Sequence, residues 1–94
     1  MERIQSITIL ARRWFDKING NTYHSVRVLI NGKEVVNVPH RYGYGEMYLQ
    51  TAKEELEEKG VITFEKHQDI YSYCKNNKIE YYVDVVDVGR KKDL

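Results

Sequence analysis

The chain has few of the residues that form covalent cross-links, metal sites or membrane spans. Its 94 residues include one cysteine and three histidines, and the histidines lack the close spacing of metal-binding motifs. One cysteine excludes an intrachain disulfide and a cysteine-rich zinc site, as is typical of a reducing compartment. No stretch approaches the roughly 20 apolar residues of a membrane span, and the first residues lack the apolar run of a signal peptide. We therefore expect a cytoplasmic protein without membrane contact, metal or cofactor.

The chain also lacks a large excess of positive or negative charge. Fifteen basic side chains oppose fourteen acidic ones, which leaves a formal net charge of +1. A basic nucleic-acid coat and an acidic mimic of DNA both need a large field of one sign, so any charge-based function must be local. Hydrophobic residues make up 41% of the chain and charged residues 31%, which is typical of a globular domain and not of a disordered one.

Alternating apolar and polar residues predict three strands in the first half of the chain. The segment 16–21 (DKINGN) has turn chemistry, and Asn31-Gly32 between two apolar runs is a strong hairpin signal. Pro39 cannot donate a ladder hydrogen bond, so we expect the third strand to end before it. The predicted strands are 4–15, 22–30 and 33 to about 38.

The second half predicts two helices and a final strand. Residues 46–59 are good helix formers with one apolar face, and Gly60 follows them. The other predicted elements are a short strand at 61–66, a short helix at 67–77 and a strand at 79–88. The fold class is therefore α+β: an antiparallel β-meander, then a main helix, a short second helix and a C-terminal strand, with the helices on one face of an antiparallel sheet. One domain is expected over residues 1–89, followed by a polar tail at 90–94.

The predicted hairpins also fix which residues face each other. A turn at 16–21 places apolar residues opposite each other in three successive pairs, Ile7–Ile30, Ile9–Val28 and Ala11–Val26. The same register sets Arg13 opposite His24 and Trp14 opposite Tyr23. A two-residue loop at Asn31-Gly32 gives the pairs Val28–Val35, Arg27–Val36 and Ser25–Val38.

The first candidate site lies where the meander ends and the main helix begins. A helix start presents unpaired N–H groups, and glycines let the backbone approach a ligand closely. Basic and aromatic side chains converge there, which suits a phosphate, a nucleotide or a strand of nucleic acid. In a purely structural alternative, the YGYG segment (42–45) is only a tight connector and binds no ligand. His24 is then a half-buried histidine with its hydrogen bonds satisfied, and Tyr48 is a core residue. We call this set the anion patch: Arg13, His24, His40, Arg41, Tyr42, Gly43, Tyr44, Gly45 and Tyr48.

The second candidate is the opposite face of the sheet, which mixes aromatic, arginine and aliphatic residues. Such a mixture is typical of interface cores, and arginine beside an aromatic ring also suits base stacking. The alternatives are a homodimer or partner surface, a nucleic-acid surface, and a face covered by the second helix or the final strand. The predicted interface residues are Arg12, Trp14, Tyr23, Arg27 and Val36, joined on this face by Leu10, Leu29 and Val38.

The residue pattern predicts no catalytic group. Asp84 and Asp87 lie in the final strand at positions that point to opposite faces, so they cannot act as a pair. Cys74 falls in a predicted helix, where a packed thiol is expected and not a nucleophile. We therefore expect a binding protein, with chemistry on a small nucleotide as a remote alternative.

Two segments resemble small uncharacterised open reading frames of bacteriophages and prophages. They are ARRWFDKINGNTYHSVRV (11–28) and PHRYGYGEMYLQTA (39–52), about a third of the chain. The resemblance implies no catalytic residues, because the group has no established activity. It implies a phage protein in the host cytoplasm that acts on host machinery or defence by binding a protein, a nucleic acid or a signalling nucleotide. Our leading expectation is a phosphate-bearing ligand, nucleotide or nucleic acid, at the anion patch; the alternative is inhibition of a host protein complex through Trp14, Tyr23 and Arg27.

Overall fold

Three consecutive strands form the meander in the computed structural model, which describes residues 3–94 and so omits the first two residues of the predicted domain. The strands are β1 (Ser6–Asp16), β2 (Asn21–Ile30) and β3 (Lys33–Tyr42). After them come α1 (Met47–Glu58), α2 (Ile70–Asn76), β4 (Glu80–Val88) and a short 3-10 helix (Lys91–Asp93). The α+β class and the predicted order of meander, main helix, short helix and C-terminal strand are confirmed. No helix within residues 3–94 is long and apolar enough to cross a membrane.

The four strands form one sheet in the order β3-β2-β1-β4, and β4 runs parallel to β1. The expectation of a wholly antiparallel sheet was therefore wrong for its last strand. The reason is the helical connection, which carries the chain from the end of β3 back to the end of the sheet where β1 begins. There Glu80 N–H donates to the Gln5 carbonyl at 3.0 Å, and β4 starts beside β1. The crossover leaves β3 and β4 as the two edge strands.

Two β-bulges correct the predicted register between β2 and β3. The first lies between Val28 and Leu29, so that Val28 pairs with Val36 and not with Val35. An extra residue in one strand moves every later side chain to the opposite face. Val36 is consequently in the core, only 1% exposed, and the prediction that it belongs to the interface face was wrong. Val38 is buried for the same reason.

The second bulge lies between His24 and Val26, and it explains why β3 continues past Pro39. Residues 39 and 40 both stand opposite Ser25, so the missing N–H of the proline interrupts a ladder that is already irregular. β3 is also an edge strand, where proline is tolerated. The strand therefore ends at Tyr42 and not before residue 39.

The predicted strand at 61–66 was also wrong. Val61 and Ile62 donate backbone hydrogen bonds to the Leu56 carbonyl, which folds the segment against the end of α1. Ile62 and Phe64 are then buried under the helices, 4% and 8% exposed. The apolar run anchors a loop in the core instead of pairing with the sheet. Further along, α2 begins only after Asp69, whose carboxylate caps the helix by accepting from Ser72 N–H at 2.7 Å.

The core lies between one face of the sheet and both helices. Its fully buried aliphatic residues come from alternate positions of β1, β2 and β3, which pack against α1, α2 and the 61–64 loop. Within residues 3–94, neither α1 nor α2 packs on the opposite face of the sheet, which we call the open face. The predicted polar tail folds back toward it, because Arg12 Nη1 donates to the Asp93 carbonyl at 2.9 Å. Asp93 and Leu94 are half-buried there.

Candidate binding site on the open sheet face

His24, at the centre of the anion patch, is a structural residue of the core. Its side chain is 1% exposed, with Nδ1 3.2 Å from the Gly43 carbonyl oxygen and Nε2 2.7 Å from Thr51 Oγ1. Because a carbonyl oxygen only accepts, we assign the proton to Nδ1, so that Nε2 accepts from the Thr51 hydroxyl. Burial lowers the pKa of His24 below its ordinary value, and the nearby positive charge of Arg41 acts in the same direction. A ligand has no access to this ring.

Both arginines of the anion patch face carboxylates. Arg13 Nε donates to Asp87 Oδ1 at 2.8 Å, and its Nη1 donates to the Gly45 carbonyl at 2.9 Å. Arg41 lies 3.5 Å from a Glu55 carboxylate oxygen on α1, with a more distant contact to the preceding glutamate. These pairs are partly exposed and contribute little stability, but they balance the positive charge locally. The patch therefore presents less free charge than its sequence indicates.

The remaining patch residues divide between the core and two surfaces. Tyr48 is 5% exposed in the core, and Gly43 is buried against His24. Tyr44 is 70% exposed beside the glycines. The structure separates His40 from His24, because the second bulge turns His40 to the open face. Arg13 and Gly45 do lie together, since Arg13 Nη1 donates to the Gly45 carbonyl.

The open face carries a row of stacked rings. Trp14 and Tyr23 have ring centroids 5.8 Å apart with planes at 24°, and Tyr23 and His40 have centroids 4.7 Å apart with planes at 19°. Neighbouring strands lie about 4.8 Å apart, so side chains at matched positions of β1, β2 and β3 reach stacking distance. Tyr42 adds an edge-on contact to Tyr23 at 5.7 Å. We call Trp14, Tyr23 and His40 the aromatic row.

The row is accessible from solvent at one end. Trp14 and Tyr23 are half-buried, whereas His40 and Tyr42 are exposed on edge strand β3. Sequence reasoning assigned both exposed residues to the anion patch, because it ended the third strand before Pro39 and so missed the second bulge. The signal that could have found it is the pair Pro39-His40, since a proline inside a strand often marks a bulge.

A cavity of about 380 Å³ lies on the open face in the strand positions next to the row. This volume falls in the range of small-molecule sites. Its lining combines the predicted interface residues Arg12 and Arg27, and Leu10 of the same predicted face, with residues that the sequence did not single out for this face. Arg27 Nε donates to Glu34 Oε1 at 2.5 Å. The other lining residues are Leu10, Ala11, Ser25, Asn37, Pro39, Asp84, Val86 and Leu94.

Groups that could perform catalysis are either separated or buried. The register with β1 places Asp84 opposite Leu10 on the open face and Asp87 opposite Arg13 on the core side. Burial raises the pKa of Cys74 to about 11, so its thiol is almost entirely protonated at neutral pH. Among residues 3–94, no group of three or more histidine, cysteine or acidic side chains is arranged to hold a metal ion.

Comparisons with protein-family models, with curated proteins and with solved structures find no match for this chain. The geometry of the aromatic row and its cavity is therefore the basis for a functional proposal.

Proposed function

We propose that this is a non-enzymatic binding protein that takes an unpaired nucleic-acid base, in a nucleotide or a single strand, on its open face. The observation that carries the proposal is the aromatic row, in which rings from three neighbouring strands stack in succession with planes at 24° and 19°. The row lies on the sheet face that neither α-helix of residues 3–94 covers. Every base has an aromatic face, and stacking on a protein ring contributes about 1–3 kcal/mol per base. An incoming base can extend the row at the exposed ring of His40.

The surroundings of the row support the same ligand class. Arg12 lies two residues before Trp14, on the same face of β1. Its exposed guanidinium can stack on a base or contact a phosphate. The anion patch supports a ligand less well, because its arginines face carboxylates and His24 is buried. A phage origin, implied by the sequence resemblance, would make host nucleic acid or a signalling nucleotide the target.

Binding of single strands tests the proposal directly. A fluorescent label at one end of the strand reports binding through its anisotropy. We expect a single-stranded oligonucleotide of about ten nucleotides to bind, and a duplex of the same sequence to bind far more weakly. His40→Asn should weaken binding about tenfold, since one stacking partner is lost, which corresponds to about 1.4 kcal/mol.

His67→Asn is the matched control, because His67 is an exposed histidine in the loop before α2. It should leave the affinity unchanged. The proposal is wrong if neither mononucleotides nor single strands bind, or if the two asparagine variants weaken binding equally.

A protein partner is the second candidate function. The observation in its favour is the charge balance on the open face, where Arg27 is paired with Glu34 and Asp84 lies on the same surface. Trp, Tyr and Arg are the residues that most often dominate the energy of protein interfaces. A host protein retained after nuclease treatment, and lost with Trp14→Ala, would select this function over nucleic-acid binding.

A further inference from the structure

Two opposite charges face the same cavity from neighbouring strands. In the register of β1 and β4, Arg12 stands opposite Val86 and Asp84 stands opposite Leu10, so the two charged residues are diagonal neighbours on one face. Their Cα atoms are about 8 Å apart, from a strand spacing of about 4.8 Å and a two-residue rise of about 6.6 Å. The ion pairs formed within residues 3–94 include neither Arg12 nor Asp84. Arg12 uses one of its five donors on the Asp93 carbonyl, and the others meet no acceptor within residues 3–94. A ligand between these side chains would meet donors on one side and acceptors on the other.

The rest of the cavity favours a neutral, polar and flat ligand. Arg27 is already paired with Glu34, so the lining has no excess of positive charge for a phosphate. Leu10, Pro39 and Val86 supply apolar surface, as a ring system requires. Ser25 and Asn37 supply further hydrogen-bond donors and acceptors.

We propose that the cavity takes a guanine base, with the O6 and N7 acceptors on Arg12 and the N1–H and N2 amino donors on Asp84. Guanine is the base that offers two adjacent acceptors to a guanidinium and two adjacent donors to a carboxylate, so both contacts can be bidentate. The inference rests on the proposed function, because a neighbouring base of the same strand stacks on the aromatic row. The row and the Arg12 position are two residues apart on β1, about 6.7 Å.

Single strands that differ in one base test the inference. The probes are an oligothymidine of about ten nucleotides and four variants of it, in which one internal thymine is replaced by guanine, adenine, cytosine or hypoxanthine. Hypoxanthine is guanine without its N2 amino group. We expect the guanine strand to bind about tenfold or more tightly than the adenine, cytosine and all-thymine strands, because each good bidentate contact discriminates by about 1–3 kcal/mol and guanine makes two of them. The affinity of the hypoxanthine strand should lie between that of the guanine strand and those of the other three, since hypoxanthine keeps the contacts to Arg12 and loses one donor to Asp84.

Two conservative variants then assign the preference to the cavity. Asp84→Asn should remove most of the guanine preference and leave the affinity for the all-thymine strand within about threefold. Arg12→Lys should also remove most of the preference, measured as the ratio of guanine to all-thymine affinity, whatever its effect on the all-thymine strand itself. Glu80→Gln is the matched control, because Glu80 is an exposed acid on the same face of β4 and outside the cavity. It should keep the full preference.

The outcomes separate this inference from the proposed function. Equal affinity for all five strands, with binding that still depends on His40, would overturn the guanine site and support the stacking row. A guanine preference that survives both Asp84→Asn and Arg12→Lys would place recognition elsewhere and also overturn the inference. If no strand binds, the inference and the proposed function both fail.

Discussion

Gly43 is the glycine at which a side chain has no room. A Cβ at this position would lie 2.8 Å from the Met47 Cβ and 2.9 Å from the His24 ring, whereas Gly89 has no neighbouring atom within 4 Å of such a Cβ. We expect Gly43→Ala to lower the free energy of unfolding by about 1–3 kcal/mol, because the buried histidine or α1 must shift. Urea unfolding followed by circular dichroism measures this change.

Gly89→Ala is the control, and its effect should stay within about 0.5 kcal/mol. Equal effects of the two alanines would show that Gly43 is a tolerant connector position. A stability loss at Gly43 would explain the YGYG segment by packing, without a ligand.

His24 should make the protein less stable in mild acid. Its pKa in the folded state is lowered from 6.5, mainly by burial, so the unfolded chain binds the proton more readily. Its contribution is therefore complete above about pH 6.5 and is lost as the pH falls toward the folded-state pKa. The lowered carboxyl pKa values of Asp16, Glu34 and Asp69 act only nearer pH 4.

Urea midpoints between about pH 7.5 and pH 5 measure this dependence. His24→Gln should flatten the curve in this window, at some cost in stability at every pH, and His67→Gln should leave its shape unchanged. A wild-type curve that is already flat between pH 7 and pH 5 would contradict the assignment of a buried neutral imidazole.

At the scale of elements, the first hairpin was predictable to the residue. All three apolar pairs, together with Arg13–His24 and Trp14–Tyr23, occur as expected. A six-residue turn segment and matched alternation on both strands leave one register that buries the apolar face. The hairpin at Asn31-Gly32 was also predicted, but the register of β2 with β3 beyond Leu29 was not, because the two valines at 35 and 36 each fit an inward position. Asn37 between Val36 and Val38 was the overlooked signal, since it places a polar residue outward between two buried ones.

The position of β4 could not be read from local sequence. Its run of β-branched and aromatic residues predicts a strand, but its partner and direction depend on how the two helices return the chain. The same long-range step brings Asp84 and Val86 into the cavity beside Arg12. The aromatic row depends on the second β-bulge, and the cavity depends on the crossover that places β4 beside β1. Therefore the sequence identified several members of the open-face site without assembling it.

The whole molecule is nearly neutral, and this limits how its binding depends on salt. The net charge is +1, and Arg13, Arg27 and Arg41 already face carboxylates. Single-strand affinity decreases with salt with a log–log slope of about −0.7 for each phosphate that a cation neutralises. If Arg12 supplies one such contact or none, the slope should be between 0 and about −1, which corresponds to at most about a fourfold loss from 50 to 200 mM salt.

Anisotropy titrations of an end-labelled strand at several salt concentrations measure this slope. Arg12→Ala should not steepen it, and Arg27→Ala should change it little because Glu34 already balances that charge. A slope of −3 or steeper would require several phosphate contacts, which the described charges of the open face do not supply. Such a slope would indicate that the binding surface includes Lys91 and Lys92. These lysines are exposed and precede Asp93, whose carbonyl accepts from Arg12. A shallow slope would agree with a site in which stacking and hydrogen bonds to the base provide most of the affinity.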